Sequence, residues 1–387
     1  MKKIIEIKSI DRVSPTKIEA VIVIDDTAEV VTTTVSDSVA NYVTIDRCDA
    51  YLYALLYFAI TQNYDFKSEI PISEELYYNL QNHFFDALCD EKMNMHKPQL
   101  DVPVISAASH NGHIVATGIS CGIDSLYTIA THGDNVPKPF RITHLAFFDI
   151  GSHGNGSNTK ARKLSEGRYK RCKAFAEEYG YTFCTVVSDI YQIIENRIGY
   201  SHISNHTYMT AFCVMLLQSG IDKYYYSAGH PYQDFRCQKK SINEDFDASY
   251  YDLLSSLTLS INGVHFYSSG GGVSRIDKTK YLSTYEPAYK YLNVCVNHID
   301  NDCTCFKCIR TLLGIDATGN LDKFKAVFDL DLYRKNRTAY LQEMYIKGCW
   351  RGDTLLREII PYFQEELTLT FRAKSILKYF LRRMHLL

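Results

Sequence analysis

The sequence predicts an α/β fold: a Rossmann-like parallel sheet with helices on both faces, preceded by a small N-terminal β/α domain and followed by a helical C-terminal extension. Three observations carry this expectation. From about residue 101, strand-like and helix-like segments alternate: "HIVATGIS", "SLYTIATHG", "THLAFFDIG", "ARKLSEGRYKRCKAFAEEYG", "YTFCTVVSD", "HTYMTAFCVMLLQSG" and "KYYYSAG". Such β-α-β-α repetition implies parallel strands covered on both sides, with ligands at their carboxyl ends. Before it, residues 1 to about 47 hold β-branched runs; after about residue 308 the periodicity is helical throughout. The expected domains are therefore residues 1–100, 101–315 and 316–387.

Each element has a local reason. "KIEAVIVI" and "EVVTTTV" flank the turn-like "DDTA", which reads as a strand pair. "DAYLYALLYFAITQNY" and "SEELYYNLQNHFFDAL" repeat apolar residues at helical spacing, and Ser73 stands as N-cap before Glu74 and Glu75. The polar "CDEKMNMHKPQLD" links them to the alternating region, where Gly180 and Gly220 end two helices. "GVHFYSSGG" reads as a further strand, and "IRTLLGI", "DLYRKNRTAYLQEMYIKG" and "TFRAKSILKYFLRRM" are among the C-terminal helices.

A chain of 387 residues buries a sizeable core without staples. Its 42 Lys plus Arg against 44 Asp plus Glu leave no global field for nucleic acid or an anionic membrane. The N-terminal "MKKIIEIKSIDR" breaks its apolar run with Glu6 and Lys8, unlike a secretory signal, so a cytoplasmic location is expected. The longest apolar runs, residues 51–60 and 210–217, fall short of the roughly 18 residues of a membrane span. Twelve cysteines in such a compartment suit buried small hydrophobes, reactive thiols or metal ligands better than disulfides. The 30 tyrosines point to aromatic packing and no particular chemistry.

The stretch "VATGISCGIDSLYTIATH" supports two readings that share atoms. From Gly118 to Gly122 it spells G-x-S-x-G, which would present Ser120 as the nucleophile of a serine hydrolase. From Ser120 to Ser125 it spells S-C-G-I-D-S, a loop able to hold pyrophosphate. The hydrolase needs an upstream glycine-rich loop for its oxyanion hole, yet residues 1–111 contain no glycine. The phosphate loop uses more of what is present. Gly122 lets backbone approach an anion, the helix start offers N–H groups, Ser120 and Ser125 can donate, and Asp124 can hold a metal or anchor the turn. An ordinary strand-to-helix turn is the plain alternative.

"SCGIDS" after a buried strand resembles the loop of the PP-loop ATP pyrophosphatases, most closely the 7-cyano-7-deazaguanine synthases and their relatives. "HLAFFDIGSHG" is similar to that family's second strand and its histidine turn; "PYQDFR" is a loose echo of its Tyr-Pro-Asp-Cys-Arg stretch, and "RIDKTKYL" of its late Thr-Lys element through Thr279 and Lys280. The resemblance covers roughly residues 113–315. It implies ATP and Mg²⁺ as cofactors, and nucleotide contacts from Ser120, Cys121, Gly122, Asp124, Ser125, Asp149 and His153. Asp124 and Lys280 would carry the chemistry. The implied reaction adenylates a carboxylate or carbonyl oxygen, releases pyrophosphate, and lets ammonia or an amine displace AMP. Cys121 stands where the family has its first glycine; a thiol at a helix N-terminus is activated, which would suit sulfur transfer to RNA, or it is a small residue that fits. A non-catalytic nucleotide-binding module is the remaining alternative.

"VCVNHIDNDCTCFKCIRT" places Cys295, Cys303, Cys305 and Cys308 within fourteen residues, the number and type for a structural Zn²⁺. The family's C-x-x-C-x-x-C would require a cysteine at Asp302; here it is displaced to Cys303, and His298 or Asp302 are the alternatives. His206 and Thr207 start a helix and could aim at nucleotide; the plain alternative is Asn205 or Ser204 as N-cap with His206 in the first turn. Arg168, Arg275 and Lys280 are the candidate phosphate cations, and "SSGGGVSR" reads as a lid loop or a tight crossover. Lys374, Lys378 and Arg382, with no acid after Glu366, form a basic helix. Expected partners are a small-molecule, protein or RNA acceptor, an acidic partner at that helix, and a second copy of the chain.

Overall fold

Alternating burial along the first strands explains how the chain starts its sheet. In the computed structural model, which describes residues 3–106, 110, 112–153 and 158–383, β1 (Lys3–Ser14), β2 (Lys17–Ile24) and β3 (Thr27–Val35) form an antiparallel meander. Ile18, Ala20, Ile22 and Ile24 of β2 all face inward, the period of two that a half-buried strand requires. Asp25 and Asp26 both have positive φ, 51° and 61°, which is the primed hairpin turn whose twist matches the strands it joins. The remaining strands are β4 (Tyr64–Ser68), β5 (Ile72–Ser73), β6 (Leu100–Asp101), β7 (Val104–Ile105), β8 (Ile114–Gly118), β9 (His144–Asp149), β10 (Thr182–Ser188), β11 (Ile221–Ser227) and β12 (His265–Ser269).

Ten of these make one sheet in the order β12-β11-β8-β9-β10-β3-β2-β1-β4-β6. Its half from β12 to β10 is entirely parallel, as the alternation predicts. The chain steps from β8 out to β9 and β10, then returns past β8 to β11 and β12. With right-handed crossovers, that reversal puts helices on both faces and makes the end of β8 the switch point where such sheets bind ligands.

The strands of residues 1–100 do not form a sheet apart. β3 pairs antiparallel with β10, Val35 opposite Val186 and Thr33 opposite Ser188, and the two hydroxyls of the latter pair are 2.8 Å apart. The helices Asp49–Ala54 and Leu56–Gln62 pack on the helix His202–Leu216, with Tyr51 edge-on to Phe212. Helix His202–Leu216 is buried nearly all round from Tyr208, as a helix apolar on every face must be. Asp49, fully buried, accepts from Ser73 N–H at 2.8 Å and Gln218 Nε2 at 3.3 Å, and Asn262 donates to Gln218 at 2.6 Å. This network ties the N-terminal segment to the α/β region.

The chain divides into two compact units, Met1–Ile119 with Thr131–Gly271, and Ser120–Ala130 with Gly272–Leu387. All strands among the described residues belong to the first. The second is helical and contains the Ser120 loop, so the expected boundaries at residues 100 and 315 are not where the contacts thin. The glycine run 270–272 carries the chain from one unit to the other. Gly271 is required sterically: a Cβ there would lie 2.1 Å from the Tyr232 ring. Among the described residues, no helix is long and apolar enough to cross a membrane.

Candidate functional site

In the second unit, the loop Ser120–Ser125 leads into the helix Ile123–Thr131. Cys121 holds it open with φ of 57°, the left-handed region where glycine is at ease and other residues are strained. Its carbonyl accepts from Asn293 N–H at 2.8 Å. Gly122 N–H donates to Ser120 Oγ at 3.2 Å, and Ser120 Oγ lies 3.1 Å from Ser125 Oγ. Ser120 is exposed, whereas Ser125 is buried and also donates to the Gly122 carbonyl. The loop's hydroxyls and first amide thus converge, and no histidine is bonded to Ser120 among the described residues.

Asp124 is clamped by two cations of the helix Arg275–Leu282: Arg275 Nη1 in short contact, and Lys278 Nζ at 3.0 Å. Burial pulls its carboxyl up, but Arg275 and Lys278 outweigh burial and hold it well below the usual carboxylate range. The expected cation Lys280 is not in this clamp. It is exposed, while Lys278 is buried. The reason is helical: residues 275 and 278 share a face, and residue 280 turns away from it. The signal available in the sequence was the R-x-x-K spacing. Thr279, also buried, bonds back to the Arg275 carbonyl.

The Cys121 side chain is completely buried, unlike an attacking thiol, which must reach its acceptor. On brief alkylation of the native protein, mass spectrometry should find the exposed Cys349 modified and Cys121 protected like the buried Cys48. Modification of Cys121 at a rate matching Cys349 would restore the sulfur-transfer reading.

In the first unit, Asp149 ends β9. It takes hydrogen bonds from His153 Nδ1 at 3.1 Å and, in short contact, Ser165. Burial raises the carboxyl, but these two bonds leave it below its ordinary value. His153 stacks on Phe147. Arg168 lies on the helix Thr159–Glu178 of the same unit.

A second group there was not anticipated. The helix bearing His206 starts at His202, with Ser201 as N-cap, so Asn205 and Ser204 are not the cap and His206 lies beyond the first turn. His206 Nδ1 is in short contact with Tyr226 Oη, and its Nε2 lies 3.1 Å from Asp247, which His230 Nε2 also approaches at 3.3 Å. Burial pulls Asp247 up, yet His206 and His230 hold it far below the carboxylate range. Nearby Asp252 is buried, with Oδ2 lacking a hydrogen-bond partner among the described residues. Burial pushes its carboxyl up to about 6, against the pull of Ser268, His206 and His230.

A raised folded-state pKa means that the folded chain binds the extra proton. Stability is therefore highest below the unfolded value near 4 and falls as pH rises through about 6. Asp252→Asn should match wild type at pH 4 and exceed it at pH 8 by on the order of 2–3 kcal/mol. Denaturant titrations at both pH values check this; an equal difference at the two would refute it.

The cysteines lie in the second unit. Ligand atoms of Cys295, Asp302, Cys305 and Cys308 all fall within 4.8 Å of one another and can hold a metal ion. Cys303 is outside the group: its φ of 57° turns it away, and its sulfur accepts from Asp329 N–H at 3.3 Å. Asp302 replaces it, at the very position where the regular spacing needs a ligand. Thr304 and Cys305 N–H groups each donate to Asp302 Oδ1 at 2.9 Å, and exposed His298 sits 3.2 Å from Oδ2. His298 therefore orients Asp302 instead of joining the group. Arg236 of "PYQDFR" pairs with Glu244 and lies over Tyr250, a structural role. No protein-family model, no curated protein and no solved structure matches the chain.

Proposed function

We propose that the chain is an ATP-dependent ligase of the PP-loop pyrophosphatase type. The observation that carries this is the convergence, on one helix start, of Ser120, Gly122 and Ser125 with the Arg275–Asp124–Lys278 clamp. An anion at this helix start meets the first N–H groups of the helix, two serine hydroxyls and two fixed cations.

In this reading, an acceptor carboxylate or carbonyl oxygen attacks the α-phosphorus of ATP, and pyrophosphate leaves into the loop. Ammonia or an amine then displaces AMP and gives up a proton. The protein's task is charge stabilisation: Arg275 and Lys278, held in place by Asp124, neutralise the departing pyrophosphate. Because Asp124 is already committed to both cations, Mg²⁺ would arrive with the nucleotide and supply charge neutralisation between its phosphates. Cys295, Asp302, Cys305 and Cys308 would hold a structural Zn²⁺, three thiolates and a carboxylate being a tetrahedral donor set.

The test is release of AMP and pyrophosphate from ATP, in carboxylate and ammonia mixtures, by wild type and Asp124→Ala. ATP bound but never split would favour a nucleotide-binding module. Labelling of Ser120 by a fluorophosphonate without ATP would favour a hydrolase. The buried Cys121 gives sulfur transfer no support.

A further inference from the structure

The C-terminal helices of the second unit line a half-open pocket of about 370 Å³, near the lower size of small-molecule sites. Arg310, Lys347 and Arg351 line it together with Glu343 and Asp353, and the half-exposed ring of Phe306 stands at its wall. The charges do not cancel. Lys347 is held by Glu343, and Asp353 caps the helix Thr354–Arg357 by accepting from Leu356 N–H. Arg310 and Arg351 make no side-chain hydrogen bond or ion pair among the described residues, and the Nε of Arg310 is shut off from solvent.

Arg310 is half-buried, and closing off its Nε without a partner is costly, so an apolar residue of similar size would be more stable there. Burial, reinforced by the like charge of Arg275 and opposed by Asp353, Asp124 and Glu358, brings Arg310 down to about 10, so it is still protonated at pH 7. We propose that this cavity is a binding site for a small hydroxylated phosphate monoester, whose phosphate pairs with Arg310 and Arg351. Three cations, Arg310, Lys347 and Arg351, face two carboxylates, Glu343 and Asp353, so one positive charge is in excess, which suits an anionic group, and guanidinium forks match phosphate oxygens. Glu343 and Asp353 have acceptor oxygens left for hydroxyls, and Phe306 offers an apolar face. Arg310 feels the charges of Arg275 and Asp124, but the lining residues are not those of the Ser120 loop, and the site stands whether or not that loop binds ATP.

Titration calorimetry of the full chain with ribose 5-phosphate and with inorganic phosphate tests it. Ribose 5-phosphate should bind once per chain and more tightly than inorganic phosphate. Arg351→Gln, an exposed position, should weaken it by about tenfold or more, and Ser125→Ala should leave it unchanged. Without ligand, Arg310→Met should raise the unfolding temperature while losing the stabilisation that ribose 5-phosphate gives wild type. No binding at millimolar concentration, binding lost in Ser125→Ala but kept in Arg351→Gln, or a lowered unfolding temperature in Arg310→Met would each overturn the proposal.

Discussion

Asp124→Ala is expected to reduce pyrophosphate release from ATP by about 100- to 1,000-fold and to cost the second unit about 3–5 kcal/mol of stability. One cause underlies both losses. Lys278 is 3% exposed and Arg275 is mostly covered, so truncating their shared carboxylate leaves two cations desolvated and unpaired. They would then repel one another and lose the positions from which they meet a leaving pyrophosphate. The pH dependence follows from the lowered Asp124 pKa. Stabilisation by the ion pairs is fully present above the unfolded carboxylate value near 4 and is lost as pH falls through the depressed folded value. The gap between wild type and Asp124→Ala should therefore be wide at pH 7 and shrink on acidification toward pH 2. Denaturant midpoints at several pH values measure it, and a gap independent of pH would mean that Asp124 acts by shape alone.

The alternating half of the fold was legible because each strand and helix there carries its own period and glycine stop. The attachment of residues 1–100 was not. Nothing local in "EVVTTTV" says that Thr33 will face Ser188, a pairing set by the sheet edge it completes. In the site, Ser120, Gly122 and Ser125 come together because they lie within one short loop, while Asp124 meets Arg275 and Lys278. The misplaced cation shows what motif matching lacks: it selected Lys280 by its Thr-Lys dipeptide, whereas helix geometry selects Arg275 and Lys278 for Asp124. The His206–Asp247–His230 group was hidden for another reason. Its members are 17 to 41 residues apart, in a stretch without regular periodicity, and only β11 and its neighbouring helix bring them together.

Removal of the expected Zn²⁺ should unfold much of the second unit and spare the first. Metal sites built from loop residues exist only in the folded state, so their binding free energy is folding free energy, about 10–16 kcal/mol in zinc-finger peptides at pH 7. Here the helix Phe306–Ala317 has its own buried face, with Leu312, Leu313 and Ile315 fully covered, so part of the unit's stability is independent of metal. The loss should be several kcal/mol, seen as a separate early transition in calorimetry after chelation. Which residues bind is decided by pairing two variants. Asp302→Ala should lower metal affinity about 10- to 100-fold or more, since it removes a ligand and not merely an orienting partner. Cys303→Ser should retain one Zn²⁺ per chain and lose little stability, because its sulfur accepts from the Asp329 amide and donates to the Asn301 carbonyl, bonds that a hydroxyl can also make. If the two variants behave the other way round, the thiol must swing in on metal binding, and the left-handed turn at Cys303 would have to reverse to allow it.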